Sequence, residues 1–255
     1  MIRRPESLFG SELRYWRERR GLSQLRLAAE AGMSPRYVSF IETGRSRPGP
    51  AVIERLADAL DVPLRDRNRM LVAAGLPARH RETPLGDEEL SPFRRMIELL
   101  LARHEPYPAF VFDHEHRLVQ SNEAAKRLFP GADGHGWIDL SFAPGSPLRE
   151  ATENFAEVAW STLDLMRREA GHLTPGSHPA IEKLERCLEG VPRPALHDDQ
   201  RVLCPRIRFG DRVVKTFSTV ARFGAARDVT LQELRVELVF PADAESAAFF
   251  ESLAG

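Results

Sequence analysis

Cysteine is nearly absent: Cys187 and Cys204 are the only two in 255 residues. Two cysteines supply neither a disulfide framework nor the C-x-x-C pairs of a zinc site, and this usage fits a reducing compartment. Long hydrophobic runs are also missing. No stretch approaches the ~18 consecutive apolar residues of a membrane-spanning helix. The opening MIRRPESLFGSELRYWRERRG lacks the apolar core of a secretory signal. The expectation is a cytoplasmic protein with no membrane partner. Catalytic signatures are missing too: there is no H-E-x-x-H, no G-x-S-x-G and no phosphate-cradling glycine loop. His114 and His116 in DHEHR have no third ligand nearby and read as polar turn residues. No catalytic residue, metal site or cofactor is expected.

The net charge of −1 conceals an asymmetry. Residues 1–80 hold 15 Lys+Arg against 9 Asp+Glu, a balance of +6; the remainder holds 21 against 28, a balance of −7. A basic end on an acidic body points to one end that meets a polyanion.

Residues 8–75 read as five short helices. SELRYWRERRG ends at Gly21 and SQLRLAAEAG at Gly32, both good C-caps. SPRYVSFIETG opens with Ser34 as N-cap and Pro35 at the first helical position, where its missing N–H costs nothing. Counting from Gln24, a small residue falls fifth (Ala28), a glycine ninth (Gly32), and apolar residues fifteenth and eighteenth (Val38, Ile41). Two closely crossing helices need a small side chain at their contact. The tight turn between them needs positive φ. The second helix needs two inward anchors about a turn apart. Together these form the helix-turn-helix pattern, strengthened by RRGLSQ before it and IETGRSRP after it.

These residues resemble the phage-repressor-like, Cro/C1-type family, also called the xenobiotic-response-element family. The resemblance implies a five-helix domain whose third helix enters the major groove of double-stranded operator DNA. Gln24 is then expected at a phosphate. Ser34, Pro35, Arg36, Tyr37, Ser39 and Phe40 lie on or near the recognition face, with Arg36 the foremost base reader because a guanidinium binds guanine bidentately. Arg45 and Arg47 are expected on phosphates, where they position without specifying sequence. Arg17 and Glu42 match a buried structural ion pair of this family.

Beyond a charged, Pro-containing linker (77–92), the texture changes. PFRRMIELLLARH reads as a helix. AFVFD and RLVQSN read as paired strands, and NEAAKRLFP as a helix capped by Asn122. TENFAEVAWSTLDLMRREAG and PAIEKLERCLEG are further helices. RVLCPRIRFGDRVVKTFSTVARFG reads as two strands turning at Gly210-Asp211. LQELRVELVF alternates with a period of two, as a strand does, and AESAAFFESL closes as a helix. Strands, then helices, then strands predict an α+β domain over 93–255: one antiparallel sheet with covering helices, following the all-α domain of 1–76.

PYPAFVFDHEHRLVQSNEAAKRLF and FSTVARFGAARDVTLQELRVELVFPAD resemble the ligand-binding domain of MmyB-like transcription regulators. That resemblance implies a PAS-like pocket for a fatty acid or other acyl-chain molecule. Candidate wall residues are Phe110, Phe112, Leu118, Trp137, Leu140, Phe155, Ala159, Trp160, Leu163, Met166, Phe217 and Val220. Arg206, Arg208 or Arg222 would receive a carboxylate head. The expected protein is a homodimeric, one-component transcription regulator that binds operator DNA and a small apolar ligand. Three other readings compete with it: a constitutive repressor whose body only dimerises, an antitoxin-like protein-binding module, and an enzyme on a PAS-like scaffold.

Overall fold

The computed structural model describes residues 8–170, 179–195 and 202–254. Gly171 and Arg201, the expected ends of a helix and a strand, lie outside them, as does the opening Met1–Ser7. The described chain divides into two compact units, one formed by residues up to Thr83 together with Ala225–Gln232, the other by Pro84–Gly224 and Glu233 onward.

The first unit contains α1 (Leu8–Arg19), α2 (Gln24–Glu30), α3 (Pro35–Glu42), α4 (Pro50–Ala59) and α5 (Leu64–Ala73). Ser23 and Ser34 cap α2 and α3 by accepting from the N–H groups of Arg26 (3.1 Å) and Tyr37 (3.2 Å). Gly32 turns the chain between them at φ +62°. Leu13, Leu27, Ala28, Val38, Ile41, Ile53, Leu56 and Leu71 are fully buried in one core that joins all five helices, with Trp16 among them.

This unit also holds residues that the sequence placed elsewhere. The stretch 77–83, expected as linker, is tied down by Asn68, whose Oδ1 accepts from the Arg79 and His80 N–H groups at 3.0 Å each. The expected strand LQELRVELVF begins as a helix, α12 (Val229–Glu233), and only Arg235–Pro241 is strand. Asp228 sets that start by accepting from the N–H groups of Thr230 (2.9 Å) and Thr83 (3.2 Å). The Val229 N–H donates to the Arg81 carbonyl (2.8 Å), and the Gln232 side chain accepts from the Leu64 N–H (2.8 Å) at the start of α5.

The second unit begins with α6 (Ser91–Arg103). Its sheet comprises β1 (Ala109–Phe112), β2 (Leu118–Ser121), β3 (Arg206–Phe209), β4 (Arg212–Ala221) and β5 (Arg235–Pro241), all antiparallel in the order β2-β1-β5-β4-β3. The β3–β4 turn falls at Gly210 (φ +61°) as expected. Between β2 and β3 lie α7 (Glu123–Leu128), α8 (Trp137–Phe142), α9 (Pro147–Ala151), α10 (Phe155–Ala170) and α11 (Pro179–Cys187). The short α8 and α9 had no counterpart in the sequence reading. Asn122 caps α7 through the Ala125 N–H (3.1 Å). It also accepts from the Ala109 N–H (3.0 Å) and donates to the Tyr107 carbonyl (2.8 Å). The C-terminal α13 (Ala244–Ala254) packs Phe249 and Phe250 against Val214.

Candidate DNA interface and effector cavity

In the helix-turn-helix unit, inward and outward residues of α3 separate cleanly. Val38 and Ile41 point into the core, while Pro35, Arg36, Arg45 and Arg47 are exposed and Tyr37, Ser39 and Phe40 are partly so. Ser34, the exposed N-cap, holds the N-terminal turn that presents Arg36. Phe40 is half-buried beside two arginines. Its ring has the Arg36 guanidinium 5.1 Å away and that of Arg45 5.8 Å away, so two candidate DNA contacts share one aromatic platform. The Phe40 carbonyl also accepts from the N–H groups of Arg45 (2.8 Å) and Ser46 (3.1 Å), which pins the loop carrying Arg45 and Arg47.

Gln24 is oriented by a buried carboxylate. Its amide donates to Glu42 (2.7 Å), which also receives Arg17 Nε at 2.6 Å. Arg17 in turn donates to the Leu22 carbonyl (2.9 Å), ahead of α2. The hydrogen bond to Glu42, opposed by burial, holds the Arg17 guanidinium above its ordinary pKa. Gln24 is thus locked into the scaffold that carries α3.

In the second unit, one sheet face and the helices over it enclose a cavity of about 110 Å³, several times the space one water needs. The strands contribute Phe110, Ile207, Phe209, Thr216, Ser218, Glu237 and Val239, with Pro108 just ahead of β1. The helices and their connections contribute Leu128, Phe129, Trp137, Ser141, Phe142, Leu148, Thr152, Phe155, Val158 and Phe250, and Pro205 completes the wall. Aromatic rings run along it: Phe110 to Trp137 at 6.2 Å, Trp137 to Phe142 at 6.4 Å, Phe142 to Phe155 at 6.3 Å. Arg149 braces this wall, with its guanidinium 4.3 Å over Phe155 and donating to the carbonyls of Phe142 (2.7 Å) and Cys187 (2.9 Å). Ser218 lines the cavity and is itself exposed, so the cavity is unsealed beside β4.

Of the wall residues expected from sequence, the structure brings Phe110, Trp137 and Phe155 to the cavity. Phe112 and Leu118 pack behind it with Leu140. Ala159, Leu163 and Met166 are buried between α10 and its neighbours. Trp160 donates to the Val191 carbonyl (3.3 Å) and carries Arg193 over its ring. Phe217 is a correction of register: it pairs with Phe240 and stacks on it at 5.7 Å, on the sheet face opposite Glu237 and Ser218. Val220 lies across from Glu237 but is exposed and outside the wall. Arg222 is exposed beyond β4. Arg208 pairs with Glu153, and Arg206 is outside the wall.

Glu237 and Ser141 are among the wall residues that the sequence reading did not name. Glu237, on the central strand, is held above the ordinary carboxylate range by burial, against the smaller opposing effects of a Ser218 hydrogen bond and the Arg235 charge. Ser141 Oγ is buried without a hydrogen-bond partner among the described residues. A lone acid in an otherwise apolar strand, RVELVF, was the available signal.

A regulator is the class of protein that this combination defines: a DNA-reading helix pair on one unit, and an apolar cavity with few polar groups on the other. Residues 93–253 match the MmyB-like transcription regulator ligand binding domain, and residues 13–66 match a helix-turn-helix family. The chain belongs to the MmyB-like transcription regulators. It is 46% identical over 56 residues to the HTH-type transcriptional repressor RghR of Bacillus subtilis (strain 168). That match covers 22% of this chain and 42% of that protein, less than half of the relative's length. The restriction-modification controller protein C.AhdI from Aeromonas hydrophila, in its crystal structure, is 38% identical over 24% of this chain and 92% of its own, with a TM-score of 0.23.

Proposed function

We propose that the chain is a cytoplasmic, one-component regulator that binds operator DNA as a homodimer and releases or grips it according to an apolar effector in the cavity. The strand order β2-β1-β5-β4-β3, with helices over one face, supports reading the second unit as PAS-like. Two recognition helices about one DNA turn apart, ~34 Å, would meet a two-fold operator. Arg36 reads bases, and Arg45 and Arg47 hold phosphates. An acyl chain suits the aromatic wall, since each buried methylene contributes ~0.8 kcal/mol.

One observation carries the regulatory reading. β4 and β5 both line the cavity, and the segment joining them, Ala225–Gln232, belongs to the helix-turn-helix unit. An occupant that favours one arrangement of these strands therefore acts on a segment hydrogen-bonded to the start of α5. The test begins with solvent extraction of the purified protein and mass spectrometry. Fluorescence anisotropy then follows an operator duplex, selected from random sequence, with and without the extracted molecule. A several-fold change in affinity is expected. An affinity indifferent to every cavity ligand would leave the body as a dimerisation module.

A further inference from the structure

We propose that the polar end of the effector is a protonated amine held by the Glu237 carboxylate, not the carboxylate of a free fatty acid. This rests on reading the cavity as an effector site and deepens that reading.

The composition of the wall decides the polarity. Among the described residues it contains no Lys, Arg or His, and Glu237 is the one acid. A bound carboxylate would have no cation to meet and would confront a second carboxyl group. The arginines that sequence reasoning offered for that role are engaged or placed elsewhere. Arg208 pairs with Glu153, Arg206 is outside the wall and alternates along β3 with the wall residue Ile207, and Arg222 lies beyond the strand end.

Glu237 sits where a head group would come to rest. It is on β5 between Phe110 of β1 and Val220 of β4, diagonal to Ser218, where the cavity is unsealed. The aromatic rings of Phe110, Trp137, Phe142 and Phe155 then receive the apolar tail. Ser141 Oγ, 6% exposed and unpartnered, leaves a second polar position in the wall for a ligand N–H or hydroxyl.

The protons balance. Among the described residues the charged groups around Glu237 are few: Arg235 on its own strand acts from a distance, Ser218 of β4 supplies a hydroxyl, β1 presents Phe110, and the helices add no titratable side chain to the wall. Burial favours the neutral acid in the empty cavity. An arriving ammonium replaces that proton as the counter-charge. Glu237 becomes a carboxylate, one proton passes to solvent, and the N⁺–H donates to the carboxylate oxygen.

The test is calorimetry on the full chain with three probes of one chain length: n-octylamine, n-octanol and octanoate. The amine is expected to bind at least about tenfold more tightly than the alcohol, with octanoate weakest. Glu237→Gln, near-isosteric and neutral, is expected to reduce octylamine to the alcohol's affinity and leave octanol unchanged. Titrations in buffers of different ionisation enthalpy should show proton release with octylamine in the wild type and none in the variant. This readout on the wild type holds even if the variant folds poorly. Octanoate binding as tightly as octylamine would overturn the proposal, as would an amine preference that survives Glu237→Gln. In either case, octanol binding would leave the cavity reading standing. If none of the three probes binds, the proposal and the cavity reading fall together.

Discussion

Arg17 of α1 and Glu42 of α3 meet at 2.6 Å, with the carboxylate side chain wholly out of solvent. Removing one partner of such a pair strands a buried charge. Arg17→Met should destabilise the helix-turn-helix unit by ~3–5 kcal/mol. Replacing both residues by Met and Leu should recover most of that loss. Urea unfolding followed by circular dichroism reads both. A single variant as stable as the wild type would mean that Arg14, 3.7 Å from Glu42, suffices as its counter-ion.

That pair was expected from the resemblance to the Cro/C1-type family, and the resemblance was legible because the helix-turn-helix is a local device. Ala28, Gly32, Val38 and Ile41 fall within 18 residues, and each position has its own steric reason. The cavity was much less legible. Leu163 in the core and Phe155 on the wall are both apolar residues of one helix, and periodicity does not distinguish a filled interior from a hollow one. Phe217 and Ser218 illustrate the same limit in a strand, where a register choice of one residue exchanges the faces. α12 was hidden because Leu234, just after it, continues the alternation of Val236, Leu238 and Phe240 in β5. The signal that breaks the alternation is Asp228, which caps two residues on.

On DNA, Arg36→Ala should cost ~1–3 kcal/mol and relax preference at one base position. Arg45→Ala and Arg47→Ala should weaken all sequences alike and lower the slope of log affinity against log salt by ~1 each. Phe40→Leu, which keeps bulk but removes the platform beneath both guanidiniums, should cost ~0.5–1 kcal/mol. Anisotropy titrations across a salt series separate the three patterns.

Core and wall should answer differently to substitution. Leu163→Ala opens a hole in a packed region and should destabilise by ~2–5 kcal/mol. Leu148→Trp adds bulk at the cavity wall. It should leave the thermal midpoint nearly unchanged while abolishing binding of apolar ligands, as read by calorimetry beside a melting curve.

Glu237 gives the stability of the second unit a definite pH dependence. Its folded value lies above the unfolded one of 4.5. The folded state therefore binds more protons just above that pH, and stability falls as pH rises toward the folded value. Glu237→Gln removes the penalty. Its melting temperature should exceed that of the wild type near neutrality, and the two should converge below about pH 4.5. A gap that does not close in acid would assign the effect to packing.

Coupling should fail without loss of either function when α12 is loosened. Asp228→Ala removes the acceptors for the Thr83 and Thr230 N–H groups, and Gln232→Ala the acceptor for Leu64. Both variants should bind operator and effector separately. The effector should no longer alter operator affinity, which the anisotropy assay measures directly. Full coupling in the double variant would rule this segment out as the route.

Because Ala225–Gln232 belongs to the unit that carries α1–α5, a chain cut at Thr83 lacks the Gln232 acceptor for the Leu64 N–H. During synthesis the ribosome must pass Gln232 before every part of that unit exists. Order of translation alone thus keeps a newly made DNA-reading half unfinished until nearly all of its sensing half has been made.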